Sequence, residues 1–398
     1  MKWSRQQEEA LRQVEAWRKA RDRPYFCLAG YAGTGKTTLA RHLVASWPGQ
    51  VYFAAYTGKA ALVLRRKGVP TASTIHRLIY VPRDKCDDHL RDLRLQKVQL
   101  ERRLPRPAAE IAKVEAEIAA EQQNLARPDF HLNLDSVLNT ASLVVVDEYS
   151  MVDRQVGEDL LSFGCPVLAL GDPGQLPPVK GRCYFDGAPD YLLTEVHRQA
   201  QESPVIHLAT IVREGKEIPI GTYGTSRVMQ GPQKFSNELV DMMLGSDQVL
   251  VGMNSTRRMC NDRMRKRAGR VRDMPVSGDK LVCLRNNYED GLLNGQIFTV
   301  VRACVRTSYL ELALRDDERT IVRCFAHKKF FEGGPVEMDP GERRLANELD
   351  YGYALTVHKA QGSEWDHVVI VDEWRGQGRR EWLYTAVTRA ADRVTIVC

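Results

Sequence analysis

The sequence of 398 residues predicts an α/β protein that contains two α/β units, each interrupted by an insertion. Within residues 1–80, helical patterns alternate with the apolar runs Tyr25–Ala29 and Val51–Ala55, which is the rhythm of parallel strands covered by helices. Two later apolar runs each end in a carboxylate, at Asp147 and Asp172. Because ligands bind at the carboxyl ends of parallel strands, these positions predict a binding site in the first unit.

The second α/β unit is expected to begin near Tyr191 and to end with the strand Val394–Val397. Between residues 275 and 345, β-type segments alternate apolar and polar residues, which predicts a small β-barrel inserted in this unit. Residues 84–126 are instead rich in charge, Ala and Leu, which predicts a helical hairpin inserted in the first unit. From residue 83 to residue 129, ten basic and ten acidic residues balance, so a solvated helical pair packed on itself is the alternative to a functional arm.

The composition excludes several classes of protein. With 57 Lys+Arg, 51 Asp+Glu and 43% apolar residues, the chain is globular, and its formal net charge of +6 permits a nucleic-acid partner without requiring one. Its longest apolar runs fall far short of the roughly 20 residues of a membrane span, so we expect a soluble, unexported protein with no membrane partner. The nine scattered cysteines lack zinc-type spacing and are expected to be reduced thiols.

A glycine-rich segment, Gly30-Tyr-Ala-Gly-Thr-Gly-Lys36-Thr37, follows an apolar strand and opens a helix. This is the pattern and the context of a Walker A loop, whose backbone N–H groups surround phosphate oxygens. Lys36 would supply positive charge to the β and γ phosphates, and the Thr37 hydroxyl would bind magnesium. The sequence therefore predicts ATP and Mg²⁺ as cofactors, with nucleotide contacts from Gly30, Ala32, Gly33, Thr34, Gly35, Lys36, Thr37 and Thr38.

Catalytic groups are predicted at three further places. Asp147 and Glu148 end a core strand, where Asp147 can hold the magnesium shell while Glu148 takes the proton of the attacking water. Gln175 follows another core strand and is placed to sense the γ-phosphate. Arginines from the second unit can stabilise charge in the transition state and make domain closure depend on the nucleotide. The predicted catalytic residues are Lys36, Glu148, Gln175, Arg198 and Arg389, and the predicted metal ligands are Thr37 and Asp147.

This ordered set of motifs resembles superfamily 1 helicases of the 5′-to-3′ subclass, nearest the RecD-like and Dda-like enzymes, and especially the phage-type members. The resemblance covers most of the chain. The matching segments are Gly30–Thr37, Ala55–Ala61, Ser73–Leu78, Asp147–Met151, Gly171–Val179, Leu193–Gln199, Tyr353–Glu364 and Trp382–Ala390.

The resemblance implies two RecA-like P-loop domains, with a helical-hairpin insertion in the first and an SH3-like β-barrel insertion in the second. The implied ranges are 1–80 and 128–185 for domain 1A, 81–127 for insertion 1B, 186–274 and 346–398 for domain 2A, and 275–345 for domain 2B. Many relatives carry a β-hairpin that splits the duplex where this chain carries the longer helical insertion. We expect the tip of that insertion to act as the wedge.

The resemblance also implies roles for single residues. Gln7 is similar to the adenine-reading glutamine of the family, and Gly362 and Glu364 fall in a motif that contacts the nucleotide. The residues expected to contact single-stranded DNA are Thr57, Lys59, His76, Thr356, His358 and Lys359. Tyr56 could stack on a base, although a core aromatic explains it equally well, and a packed core histidine is the alternative for His76 and His358.

These observations together predict an ATP-dependent DNA helicase that moves 5′ to 3′ on single-stranded DNA and unwinds duplex DNA at the junction. We expect a monomer in the cytoplasm of a bacterial or phage-infected cell, with replication or recombination proteins as candidate partners. Two alternatives stay open: a translocase that displaces proteins without robust unwinding, and a nucleotide-gated nucleic-acid-binding module. Eight basic residues between Thr256 and Arg272 either form a solvated helix face or line the strand path.

Overall fold

The computed structural model describes residues 3–82, 88–103, 107–126, 130–178, 181–196, 202–231, 235–332, 336, 338, 342–343 and 346–398. Its described part contains two six-stranded sheets, one five-stranded sheet and one two-stranded sheet. The α/β class predicted from the sequence is confirmed. The eight cysteines within the described part are free thiols, as expected.

The first sheet is entirely parallel and has the strand order β3-β2-β6-β7-β1-β8. Its strands are β1 (Tyr25–Gly30), β2 (Val51–Ala55), β3 (Ser73–Thr74), β6 (Leu143–Asp147), β7 (Val167–Gly171) and β8 (Tyr191–Leu193). The accompanying helices are α1 (Arg5–Ala20), α2 (Lys36–Ala45), α3 (Gly58–Arg66), α4 (Ile75–Ile79) and α7 (Arg154–Leu161). Apolar clusters lie on both faces of the sheet, which explains why β6 is a continuous apolar run rather than an alternating one.

The strand β8 corrects one predicted boundary. Tyr191 was expected to open the second α/β unit, with a domain boundary at residues 185 and 186, but Leu28 and Gly30 of β1 pair with Tyr191 and Leu193. The first sheet therefore extends through Leu193. Sequence periodicity does not reveal which sheet a three-residue edge strand joins, because the pairing is long-range.

The second sheet has the order β17-β11-β18-β19-β10-β9 and is parallel except for the terminal hairpin of β9 and β10. Its strands are β9 (Gly221–Tyr223), β10 (Ser226–Met229), β11 (Gln248–Val251), β17 (Ala354–Thr356), β18 (Trp365–Val371) and β19 (Ala390–Val397). Its helices are α8 (Pro204–Arg213), α9 (Asn237–Leu244), α10 (Asn254–Arg267), α11 (Val357–Ala360) and α12 (Arg379–Val387). Both faces again carry apolar clusters.

Two helices occupy most of residues 84–126: α5 (Asp88–Glu101) and α6 (Ala108–Ala126). They pack on each other through Leu90, Leu93 and Val114, and Lys97 of α5 forms an ion pair of 2.7 Å with Glu115 of α6. A two-stranded antiparallel ribbon, β4 (Tyr80–Pro82) with β5 (Phe130–Leu132), joins this helical pair to the first domain. The helical pair thus packs mainly on itself, which matches the alternative of a solvated helical pair.

A five-stranded antiparallel sheet with the order β15-β14-β13-β12-β16 forms the small β domain. Its strands are β12 (Lys280–Cys283), β13 (Ile297–Val305), β14 (Tyr309–Arg315), β15 (Ile321–His327) and β16 (Leu349–Tyr351). Leu310, Leu312 and Leu314 alternate into one buried cluster with Phe298 and Leu281. The intervening residues of β14 lie on the opposite face, because side chains of a strand alternate between its two sides.

Candidate nucleotide site and nucleic-acid interface

The glycine-rich loop runs from the end of β1 at Gly30 to the start of α2 at Lys36. Gly33 and Gly35 have φ angles of +78° and +80°, a backbone conformation that glycine adopts without steric cost. Gly35 occupies the N-cap of α2 without a capping side chain, so the first amides of the helix are available to an anion. This loop has the geometry required to surround a phosphate group.

Lys36 and Gln7 both bind the loop itself. The Lys36 ammonium donates to the carbonyl of Gly30 and, at 3.0 Å, to that of Tyr31. Gln7 is 2% exposed; its amide donates to the Thr34 carbonyl at 3.1 Å and its oxygen accepts from the Ser4 amide at 3.1 Å. Gln7 therefore supports the loop in this structure, and its adenine-reading role stays a prediction.

Asp147 and Glu148 stand at the carboxyl end of β6, facing the loop. Burial raises the pKa of Asp147 to about 6, with a further contribution from the negative charge of Glu148, while the Lys36 ammonium opposes the rise. The amide of Glu148 donates to Asp147 Oδ1 at 3.0 Å. Glu148 itself has a φ of +57°, which is strained for a residue with a side chain and is typical of functional positions.

Three predicted catalytic residues meet between the two α/β domains. Arg389 Nη1 lies 3.7 Å from Glu148 Oε1. With the Gln175 amide oriented to satisfy both neighbours, its nitrogen donates to Glu148 Oε2 at 3.1 Å and its oxygen accepts from Arg389 Nη2 at 3.0 Å. Arg389 is 5% exposed and is also held by the carbonyls of Thr385 and Ser363. The fifth predicted catalytic residue, Arg198, lies outside the described residues.

These groups line a cavity of about 530 Å³ between the two domains. The predicted site residues on its wall are Ala32, Gly33, Lys36, Thr37, Asp147, Glu148, Gln175, Gly362, Glu364 and Arg389. Glu364 forms an ion pair of 2.7 Å with Lys67, which also lines the cavity. Thr38 lines a neighbouring cavity of about 700 Å³ with Trp3, Arg41 and His42.

The donor set of this cavity fits a nucleoside triphosphate with its magnesium ion. Backbone amides and the Lys36 ammonium suit phosphate oxygens, while the Thr37 hydroxyl and the Asp147 carboxylate are hard oxygen ligands of the kind that Mg²⁺ prefers. Within the ranges that the structure describes, no group of three or more His, Cys, Asp or Glu side chains could hold a metal ion.

Sequence reasoning missed a second network between the domains. The Tyr384 hydroxyl on α12 donates to Asp172 Oδ2 at 2.8 Å and accepts from the amide of Ala32 in the glycine-rich loop at 3.0 Å. Tyr384 is 1% exposed, and burial followed by the charge of Asp172 raises its pKa above the usual range. Tyr384 and Asp172 both lie within the motif segments identified in the sequence. A tyrosine five positions before the predicted finger Arg389 was the signal that could have pointed to this network.

The backbone amide and the backbone carbonyl of Leu176 both form hydrogen bonds with the second domain. Its amide donates to Thr385 Oγ1 at 2.8 Å, and its carbonyl accepts from Gln361 Nε2 at 2.9 Å. Its side chain belongs to the apolar cluster of the second domain. Because Leu176 follows Gln175, these contacts connect the predicted γ-phosphate sensor to α12 of the second domain.

The residues of the first domain that are predicted to contact DNA differ in their contacts and burial. The Thr57 hydroxyl caps α3 by accepting from the Ala60 amide at 3.1 Å. Lys59 is 2% exposed and lies 3.2 Å from Asp317 of the small β domain. The His76 ring lies 5.5 Å from the ring of Tyr56, in an aromatic cluster that continues to Tyr80 and Phe130.

Burial lowers the pKa of His76, which keeps the ring neutral near pH 7. The aromatic cluster matches the packed alternatives for Tyr56 and His76, and Phe130, at the edge of the cluster, is itself 42% exposed. DNA contacts from this group stay a prediction.

In the second domain, Thr356, His358 and Lys359 lie at the start of α11. Thr356 is buried, whereas Lys359 is exposed. The His358 ring lies 6.2 Å from Trp374, and burial lowers its pKa. Gly362 follows with a φ of +74°, and a side chain there would meet Ala60 at 2.7 Å, so this turn contacts α3 of the first domain. The segment therefore connects the cavity to the surface that carries Thr57 and Lys59.

The basic run on α10 is neither a uniformly solvated face nor an open row of cations. Arg265 is 7% exposed and donates to both carboxylate oxygens of Asp279 at 2.9 and 3.0 Å. Lys266 pairs with Asp262 at 2.8 Å, and Arg267 with Asp241 at 2.6 Å. The prediction of a solvated face is wrong for Arg265, which connects α10 to the small β domain.

Two family models match the chain: an AAA domain over residues 2–230, more than half of the sequence, and a UvrD-like helicase C-terminal domain over residues 351–397. Across the described residues, no helix combines the length and apolar character needed to cross a membrane.

The ATP-dependent RecD2 DNA helicase of Deinococcus radiodurans is 29% identical over 394 residues, which cover 92% of this chain and 46% of that protein. The chain thus spans about half the length of this curated relative. A structure of Pif1 helicases on forked duplex DNA matches with a TM-score of 0.55 at 15% identity, over 99% of this chain and 92% of that one. A Pif1 helicase from Bacteroides, in complex with ADP-AlF3 and single-stranded DNA, matches with a TM-score of 0.54 at 16% identity over the same shares. At these identities, the structural likeness establishes the fold.

Proposed function

Because the chain belongs to the AAA-domain family of superfamily 1 helicases of the RecD/Pif1 type, we propose that it is an ATP-dependent DNA helicase that moves 5′ to 3′ along single-stranded DNA. We further propose that it unwinds the duplex DNA that it meets at a junction. The observation that carries the proposal is the contact of Glu148, Gln175 and Arg389 across the domain interface. A site completed by both domains makes hydrolysis depend on their relative position, which is what a motor requires.

Each group has a proposed task in hydrolysis. The glycine-rich loop and Lys36 bind and orient the phosphates, and Thr37 and Asp147 would hold a magnesium ion, which would supply positive charge at the phosphates. Glu148 accepts the proton of the attacking water, and Gln175 senses the γ-phosphate. Arg389, held by the carbonyls of Thr385 and Ser363, stabilises the transition-state charge. Arg198 is proposed as a second finger on the strength of its motif.

Helix α12 is the proposed connection between nucleotide state and domain movement. It carries Tyr384 and Thr385 and ends two residues before Arg389, so three contacts with the first domain arise from one rigid segment. Loss or gain of a phosphoryl group in the cavity then changes the free energy of closure at all three contacts. Since one chain supplies both halves of this site, we propose a monomeric motor.

The proposed DNA track runs over both α/β domains. Thr57, Lys59 and His76 would contact the strand from the first domain, and Thr356, His358 and Lys359 from the second, without reading sequence. The substrates are single-stranded DNA and its junctions with duplex DNA. We also propose that the small β domain is the SH3-like domain 2B and that the helical pair is insertion 1B. Its tip, near residues 104–107, would abut the fork; residues 104–106 lie outside the described residues.

Strand displacement tests this proposal. Matched duplexes with only a 5′ or only a 3′ single-stranded tail are incubated with ATP and Mg²⁺, and Lys36→Ala serves as the inactive control. We expect displacement of the 5′-tailed strand alone. Opening only of the 3′-tailed duplex would overturn the proposed direction.

Two other outcomes would replace the proposal. DNA-stimulated ATP hydrolysis without displacement of either strand would identify a translocase that does not unwind. ATP-dependent DNA affinity without hydrolysis would identify a nucleotide-gated binding module. Deletion of residues 88–122 tests the wedge, because full unwinding by that variant would exclude the helical pair from strand separation.

A further inference from the structure

The outer face of the small β domain is both basic and aromatic. Side chains of directly paired residues in an antiparallel sheet lie on the same side, and Ala313 pairs with both Arg302 and Arg323. Arg315 pairs with Ile321, and Glu311 with Phe325. We call the set Arg302, Arg306, Tyr309, Glu311, Arg315, Ile321, Arg323 and Phe325 the outer sheet face.

Positive charge on this face exceeds the charge that its own carboxylate can neutralise. Arg306 forms a 2.9 Å ion pair with Glu311, the one acidic member of the set. Arg302, Arg315 and Arg323 are exposed, and none of them has an ion-pair partner among the residues that the structure describes. Three exposed guanidinium groups across three adjacent strands present a surface complementary to a row of phosphates.

Exposed apolar side chains lie beside these charges on the same face. Phe325 is 53% exposed and Tyr309 41% exposed, with their ring centroids 5.7 Å apart, and Ile321 is 56% exposed. The inward residues of the same strands form a buried cluster, with leucines from β14 and Cys324 and Ala326 from β15, so the aromatic residues outside are not needed for the core. Exposed rings next to arginines on one sheet face are an arrangement by which sheets stack bases and hold the backbone of single strands.

The outer sheet face is continuous with the proposed DNA track. The turn that joins β14 to β15 touches α3 of the first domain, with Asp317 3.2 Å from Lys59 and Glu318 3.0 Å from Arg66. Arg315 and Ile321 stand at the two ends of this turn. A strand leaving the surface near Lys59 therefore reaches the outer sheet face without crossing another domain.

We propose that the outer sheet face is a second binding site for single-stranded nucleic acid, which holds the part of the strand that extends beyond the track of the two α/β domains. The inference rests on the proposed function, since it requires a strand on that track. Phosphates bind Arg302, Arg315 and Arg323, and bases stack on Phe325 and Tyr309. Charge favours this occupant over a protein, because a protein patch would have to supply three carboxylates in matching positions.

Fluorescence anisotropy with two oligothymidylates, of about 8 and about 40 nucleotides, tests the site, because only the longer one can occupy track and face together. For the Arg302→Gln/Arg323→Gln double variant, we expect roughly tenfold weaker binding of the long oligonucleotide. The slope of log affinity against log salt should fall by about 1.4, since each phosphate contact on a single strand contributes about 0.7. Phe325→Ala, which removes a stacking ring, should weaken long-oligonucleotide binding by about fivefold.

Matched controls separate this site from the main track. Arg227→Gln and Ile220→Ala change an exposed arginine and a 63% exposed apolar residue of the second domain, and neither should alter binding. Short-oligonucleotide affinity and the ATP hydrolysis that it stimulates should stay at wild-type values in every face variant. Wild-type binding of the long oligonucleotide by both face variants would overturn the proposal and leave the face to a protein partner. Absence of stimulated hydrolysis in the unmodified protein would instead contradict the proposed function.

Discussion

The Lys59 ammonium lies 3.2 Å from Asp317, a residue 258 positions away in the small β domain. Lys59 is 2% exposed, although its motif predicts a contact with a DNA phosphate. A carboxylate of the small β domain thus pairs with the cation that we propose binds a DNA phosphate. Under that proposal, phosphate and Asp317 would compete for the same ammonium group, and the small β domain would have to move or share that cation when a strand binds.

Replacing Asp317 with Asn should strengthen DNA binding. Removal of the competing negative charge is expected to raise the affinity for a short single strand by about two- to fivefold at low salt, the range of a partly exposed ion pair. The gain should shrink as salt is added. Anisotropy titrations at several salt concentrations measure both effects.

Asp262→Asn provides the control, because it removes a carboxylate that pairs with Lys266 on α10, away from α3. Weaker DNA binding by Asp317→Asn would contradict competition. It would show instead that the ion pair closes the small β domain over a bound strand.

Tyr384→Phe should impair hydrolysis without preventing DNA binding. The variant keeps the buried ring but removes the hydroxyl that joins the Ala32 amide to Asp172. An unpaired buried polar group costs about 1–3 kcal/mol, so we expect kcat for DNA-stimulated hydrolysis to fall by about tenfold or more. Steady-state ATPase assays with and without DNA give kcat and KM separately.

Tyr223→Phe is the matched control, since its hydroxyl donates to the carbonyl of Pro219 at an exposed edge. If Tyr384→Phe hydrolysed ATP at the wild-type rate with the wild-type response to DNA, the network between Ala32 and Asp172 would have no part in coupling the domains.

Sequence motifs identified most of the cavity but not the contacts that unite its two halves. Lys36, Glu148, Gln175 and Arg389 were found because each belongs to a local pattern next to a predicted strand or helix. The bond between Ala32 and Tyr384 joins residues 352 positions apart, and no local pattern encodes such a partner. The same limitation explains β8, which three residues of sequence could not assign to a sheet.

The local sequence also gave an incorrect prediction of which charged side chains are exposed. The row of basic residues on α10 suggested a solvated or DNA-facing surface, yet Arg265 is buried against Asp279 because that carboxylate arrives from a loop that folds back onto the helix. Conversely, the sequences of β14 and β15 predicted only ordinary strands of a small β-barrel. Only the pairing register shows that their arginines and aromatic rings share one face.

Gln175 and Arg389 should act as a unit. Because Gln175 bridges Glu148 and Arg389, removing either residue disrupts the same arrangement, and we expect Arg389→Ala to lower kcat by about 10³-fold or more. Gln175→Ala added to that variant should cost far less than it does alone, which is the behaviour of coupled residues in a double-mutant cycle. ATPase rates of the four proteins give the coupling energy.

The affinity for the nucleotide separates this catalytic role from a structural one. Binding of a fluorescent ATP analogue should change little in either variant, since Lys36 and the glycine-rich loop are intact. Strictly additive losses in kcat would contradict the contact between Gln175 and Arg389 in the reacting state.

Glu148 should reveal a conflict between stability and activity. Its φ of +57° places a side chain in the left-handed region, which costs roughly 1–2 kcal/mol for a residue other than glycine. Glu148→Gly relieves this strain while Glu148→Ala retains it, and both variants lose the carboxylate that accepts a proton. We therefore expect two inactive proteins of which the glycine variant is the more stable, by roughly 1 kcal/mol after the added backbone entropy of its unfolded chain is subtracted. Denaturant unfolding, followed by a spectroscopic signal from the first domain, measures the difference in the free energy of unfolding. An alanine variant at least as stable as the glycine variant would show that the turn after β6 is not strained.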